Sequence, residues 1–270
     1  MEVSMSWITK KFETNKPIIA MCHLLPLPNE PSYNKKLGIK HIVHCAKKDI
    51  ETLQNNNIDG VLFSNEFGYP YSQDVSKLTV ATMARVIGEL KRNINVPIGV
   101  DCMYDALSTI DLASAIDADF YRITLEPSFP IDYELGLTRV GEYFRYANKI
   151  NLDTEIALIN IDPSMKLAQN NNNIESLVNT ISTQLKMQTL CFSANTLENL
   201  YSYDYECLKK FKKNNTLICD GGCNEKNIKK IMEHMNGAIV GTTLKSKQIL
   251  TNQIDPIRVE KFIKCAKTNT

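Results

Sequence analysis

The chain has 270 residues, 43% of them hydrophobic and 23% charged, with 31 basic side chains against 30 acidic ones. A net charge of +1 argues against nucleic acid or an anionic membrane as the main partner, because both usually call for a basic surface. No apolar run reaches the ~20 residues that a membrane span needs, and the length sits near the ~250 residues of a complete α/β barrel.

The polar stretch 1–16 carries Trp7, Ile8 and Phe12, a spacing that predicts a short helix closing one end of the fold. We read 1–16 as a capping extension and 17–270 as a single barrel domain. From Pro17 onward, short apolar runs alternate with amphipathic stretches. Strands are expected at Pro17–Cys22, Ile58–Ser64, Pro97–Cys102, Asp119–Leu125, Asp153–Asn160, Gln188–Ser193, Thr216–Cys219 and Gly237–Val240. Most lack polar alternation, as parallel strands buried on both faces do.

Helical spacing recurs between them: Ile39 to Leu53, Val140 to Ala147, Ile174 to Leu185, and a last helix with Asp255 as N-cap and Pro256 in its first turn. The third and sixth helices are faint. Eight such units match an α/β (β/α)₈ TIM barrel; a doubly wound sheet, usually with fewer strands, is the alternative.

In a barrel the functional groups lie at the carboxyl ends of the strands. His23 follows the first strand, a candidate acid/base, metal ligand or packed ring before the proline loop 24–28. The second ends in Asn65 and Glu66, where Glu66 is placed for proton transfer or metal binding. Asp101 closes the third, and Asp105 reads as a helix N-cap. Arg122 lies within the fourth, as an anion partner or an ion-pair member, followed by Glu126. Asn160 and Asp162 end the fifth, and Asn195 follows the sixth.

The seventh strand ends in Asp220-Gly221-Gly222-Cys223 and the eighth in Val240-Gly241-Thr242-Thr243. Paired glycines bring backbone N–H groups close to a ligand, and these two units often hold a phosphate. Tight turns alone would also use glycine. The eight cysteines are scattered, with no CxxC pair, which fits free thiols in a reducing cytoplasm. The oxygen ligands at the mouth leave a divalent cation such as Mg²⁺ open. The sequence has no GxxxxGK[ST], GxGxxG or GxSxG motif.

Ile18-Ile19-Ala20-Met21-Cys22-His23-Leu24-Leu25-Pro26-Leu27-Pro28 resembles the opening signature of the BtpA/SgcQ family. Phe63-Ser64-Asn65-Glu66-Phe67 and Pro97-Ile98-Gly99-Val100 resemble its second- and third-strand motifs, and Asp220-Gly221-Gly222 with Asn236 to Lys245, Asn252, Asp255 and Arg258 resembles its ending. The resemblance spans nearly the whole chain and is nearest to the SgcQ branch, which is associated with sugar-phosphate genes. It implies a ribulose-phosphate-binding type of barrel, while the family's namesake is an accessory factor of photosystem I. Asp101 stands where the family usually has Asn, and the segments near Glu126-Pro127-Ser128 and at Ser193 to Leu197 depart from its pattern.

These readings point to a cytoplasmic enzyme acting on a small phosphorylated metabolite, of isomerase, epimerase or lyase type. His23, Glu66 and Asp101 would be its catalytic groups. Gly221, Gly222, Gly241 and Thr242 would hold phosphate; Asn65, Arg122, Glu126, Asn160, Asn195 and Asp220 would hold the rest. A noncatalytic assembly protein that keeps the ligand cup is the alternative. A homo-oligomer is compatible with either.

Overall fold

The computed structural model describes residues 7–72, 74–124, 136–153, 156–161, 189–194 and 211–267, with the backbone alone at 136–140 and 161. Its strands are β1 (Ile18–His23), β2 (Gly60–Ser64), β3 (Ile98–Asp101), β4 (Phe120–Thr124), β5 (Ala157–Ile161), β6 (Thr189–Phe192), β7 (Thr216–Asp220) and β8 (Ala238–Val240). Each pairs in parallel with the next, and β8 closes on β1 through Ile18↔Ala238, Ile19↔Ile239 and Ala20↔Val240. The fold is the (β/α)₈ barrel that the apolar runs predict. The fifth strand starts later than expected, at Ala157.

Period-two alternation sorts the strand residues into two rows. One row, with Ile19, Met21, Leu62, Phe120, Leu158, Cys191, Ile218 and Ile239, fills the barrel interior. The other, with Ala20, Cys22, Val61, Phe63, Val100, Tyr121, Leu190, Leu217 and Cys219, packs under the surrounding helices. Two residues further along the interior row stand His23, Ser64, Asp101, Arg122, Asn160, Ser193, Asp220 and Gly241. The same alternation that builds the core thus delivers polar groups to the mouth.

Helices follow the strands at Gly38–Asn55, Lys77–Leu90, Ala106–Ala115, Gly136–Lys149, Ile228–His234 and Pro256–Lys267. Ser76 caps the second of these by accepting from the Thr79 amide, and Asp105 caps the third by accepting from Ser108. The third was faint in sequence because Ala-Leu-Ser-Thr-Ile-Asp-Leu-Ala-Ser-Ala is apolar or small on most sides. Asp255 caps the last, accepting from the Ile257 and Arg258 amides. The helix expected over Ile174 to Leu185 lies outside the described residues.

The opposite end of the barrel is shut by the helix Trp7–Phe12. Ile8 and Phe12 are buried against the interior row, and the Phe12 and Phe120 rings lie 5.4 Å apart. Trp7 Nε1 donates to Thr189 Oγ1 at 3.0 Å, and Lys11 pairs with Asp119 at 2.8 Å. Among the described residues, the open cavity lies at the other end, at the carboxyl ends of the strands.

Candidate functional site

That mouth contains a cavity of about 420 Å³, lined by Met21, His23, Glu66, Met103, Arg122, Asn160 and Ser193 on one side and by Asp220 to Cys223 with Ile239 to Thr243 on the other. Its size falls within the ~300–1,000 Å³ usual for small-molecule sites.

The cup side is built from two adjoining turns. Gly221 and Gly222 both have positive φ, +84° and +75°, a left-handed pair that glycine adopts without steric cost. The Gly221 amide reaches toward the Ile239 carbonyl at 3.5 Å, whereas the Gly222 amide donates to no protein group among the described residues. Gly241 is needed for a different reason. A Cβ there would sit 2.9 Å from His23 Cε1, so the ring would have to move aside.

The two turns are tied together from behind. Thr243 Oγ1 donates to the Cys223 carbonyl at 2.6 Å. Arg258 donates to the Thr243 carbonyl at 2.7 Å and to Glu225 at 3.1 Å. Sequence reading did not give Thr243 or Arg258 a role in the site, although both lie within the segments that carry the family resemblance.

The facing side is an ion network. Arg122 Nη1 donates to both carboxylate oxygens of Asp220, at 3.0 and 2.7 Å, while Nε and Nη2 donate to Asp101 Oδ2, the former at 2.9 Å. All three are buried: Asp101 is 1% exposed, Arg122 6% and Asp220 9%. Burial alone would lower the Arg122 pKa, but Asp220 and Asp101 hold it well above its ordinary value, so it stays charged. With two carboxylates on one guanidinium, the network is anionic overall.

Glu66 faces this network. Its carboxyl is pushed up by burial and by the nearby Asp101 and Asp220 charges, with Arg122 and the Ser64 hydroxyl acting in the opposite direction. Its backbone carbonyl accepts from Tyr71 Oη at 2.8 Å, fixing the loop. His23 is driven the other way, down to about 3, first by burial and then by the Lys245 and Arg122 cations. The ring is neutral at any physiological pH.

The remaining expected residues divide. Asn160 lines the cavity and donates to Thr124 Oγ1 at 3.3 Å. Asp101 is spent on Arg122 and is absent from the cavity lining. Asn65 is buried one step out of phase with Ser64, and its Oδ1 accepts from the Met103 amide at 2.8 Å, so it braces the loops after β2 and β3. Asp105 is the N-cap expected of it. Glu126, Asp162 and Asn195 lie outside the described residues. Among the described residues no group of three or more His, Cys, Asp or Glu side chains could hold a metal ion.

The BtpA family model matches residues 14–268. The chain belongs to the BtpA family. It is 32% identical over 262 residues to the putative sgc region protein SgcQ of Escherichia coli (strain K12), covering 96% of this chain and 97% of that one. It is 26% identical over 255 residues to the photosystem I biogenesis protein BtpA of Synechocystis, covering 93% of this chain and 88% of that one. Among solved structures, phosphoribosyl anthranilate isomerase from Thermotoga maritima is similar, with a TM-score of 0.55 at 13% identity over 93% of this chain and 98% of that one. That likeness concerns the fold.

Proposed function

We propose that this BtpA-family barrel is an enzyme that binds a small phosphorylated metabolite of sugar-phosphate size and moves a proton on it, in an isomerase, epimerase or lyase type of reaction. The observation that carries the reading is the left-handed Gly221–Gly222 pair set across one cavity from Glu66. The amides of Gly222 and Thr242 would take the phosphate oxygens. The anionic floor of Asp101, Arg122 and Asp220 repels a second anionic group, so the ligand's hydroxyl or carbonyl end lies against Arg122 and Glu66.

In this reading Glu66 is the proton-transfer group. Burial raises its pKa above the ordinary carboxylate value, which makes it a stronger base for taking a proton from the ligand. Holding the phosphate at one end keeps the adjacent carbons beside that carboxyl. Arg122, whose N–H groups go to Asp101, Asp220 and Met103, fixes the carboxylates at the mouth, and Asp101 acts by positioning Arg122. Free thiols at the seven described cysteines support a reducing, cytoplasmic setting.

A thermal-shift screen against phosphosugars and nucleotides, with and without Mg²⁺, tests the reading. A specific hit is expected, with Glu66→Gln keeping the shift and losing turnover by about 10²-fold or more. No shift with any phosphorylated compound would sink it. The relative named as a photosystem I biogenesis protein keeps one second reading in play, a noncatalytic assembly role. A stable protein partner together with no ligand hit is its signature.

A further inference from the structure

The segment after the second cup turn makes a loop of its own at the cavity. Beyond Thr242–Leu244 the chain leaves at Lys245 and returns at Ile254, and these two residues pair across an antiparallel bridge. A loop whose ends meet in this way is a compact unit packed by its own side chains, and such loops are frequently functional. Asn252 ties this one internally, its Nδ2 donating to the Ser246 carbonyl at 2.9 Å, while the Ser246 amide donates to the Gln253 carbonyl at 3.0 Å. Between those ties stands Leu250, which lines the same cavity as Thr242 and Thr243.

The shape of the loop is imposed on it. Lys247 and Gln248 both stand at φ +56°, a left-handed conformation that is costly for an L-residue and persists only where the surroundings over-determine it. The two feet are held by one buried side chain of the helix Gly38–Asn55. Asp49, 6% exposed, accepts from the Ile254 amide through Oδ1 at 3.0 Å. Its Oδ2 lies 3.7 Å from Nζ of Lys245, a residue only 2% exposed. Lys245 also closes the Thr242–Leu244 turn, its amide donating to the Thr242 carbonyl at 3.1 Å. That turn is a single piece of 3₁₀ helix without a side-chain cap. Its hydrogen-bond geometry is inherently poor, so its support comes from outside.

We infer that the 245–254 loop is a wall of the cup in which Leu250 touches the carbon skeleton of the ligand, and that Asp49 is the positioning residue fastening both feet of that wall. Phosphate oxygens need donors, which an apolar side chain lacks, so the partner of Leu250 is the carbon end of a phosphate ester. Leu250 then favours an organic phosphate over inorganic phosphate. Asp49 acts through Lys245 on the Thr242 turn as well, so its effect reaches the phosphate end too. The inference rests on the phosphate reading of the cup.

Isothermal titration of the full chain with inorganic phosphate and with ribose 5-phosphate tests it. Leu250→Ala is expected to weaken ribose 5-phosphate about fivefold and to leave inorganic phosphate unchanged. Asn252→Ala, which loosens the loop and keeps Leu250, should give the same selective loss. Asp49→Asn combined with Lys245→Met removes the ionic foot and leaves no buried charge unpaired. That double variant is expected to melt cooperatively and to bind both ligands about fivefold more weakly. A ratio of the two affinities that is unchanged in Leu250→Ala or in Asn252→Ala overturns the wall. Full affinity in the folded double variant overturns the part given to Asp49. Either result, with both ligands bound by the unaltered chain, leaves the functional reading standing. An unaltered chain that binds neither ligand defeats the functional reading beneath.

Discussion

Arg122 is the residue on which most of the mouth depends. Removing one member of a buried ion network leaves the others charged and unpaired, which typically costs 3–5 kcal/mol. Arg122→Met is therefore expected to destabilise the chain by about 3–5 kcal/mol in urea unfolding, and Arg122→Lys by a substantial part of that, since lysine lacks the planar fork. Glu30 carries a different signature. Its carboxyl is raised from 4.5 to about 7, first by burial, against the Leu27 amide and Asn65 that favour the charged form. Because folding favours its proton, the stabilisation is complete below about pH 4.5 and is lost as pH rises through about 7. Glu30→Gln should flatten the melting temperature over that window, and an unchanged pH slope would refute the assignment. Sequence reading offered Arg122 as an ion-pair member but not its partners, because Asp101 and Asp220 lie 21 and 98 residues away and meet only when the barrel closes.

At the scale of elements, the turns after β7 and β8 fix the cup. Gly222→Ala forces φ +75° on an L-residue and sets its Cβ 3.0 Å from that of Ala194, at about 1–2 kcal/mol for the backbone alone. A loss of phosphate affinity larger than the loss of stability is expected, read by titration beside thermal melts. These turns were legible because their glycines fall at the ends of the seventh and eighth apolar runs, which the barrel pattern places side by side. The strands were legible too, since residues buried on both faces read as continuous apolar runs. Asn65 misled for a reason of phase. It follows Ser64 on the opposite side of the strand direction, so its amide went to the Met103 loop. Lys245 was seen only as part of a motif; its burial against Asp49, 196 positions earlier in the chain, leaves no local trace.

Across the whole molecule, the apolar plug and the polar mouth occupy opposite ends of the barrel. Phe12→Ala removes a ring from the floor, where large-to-small changes cost about 3–5 kcal/mol. The expected outcome is a lower unfolding midpoint with phosphate affinity unchanged, measured on the same preparation. The mouth has its own mechanical character. Arg122 rises from β4, grips Asp101 on the neighbouring β3, and reaches across the lumen to Asp220 on β7. It works as a strut spanning the bore. A strut of this kind holds the rim at a set width, so the strands keep their spacing whether or not a ligand is present. If the proposed function holds, any closing over substrate belongs to the loops, and the strand ends serve as a fixed gauge of ligand length.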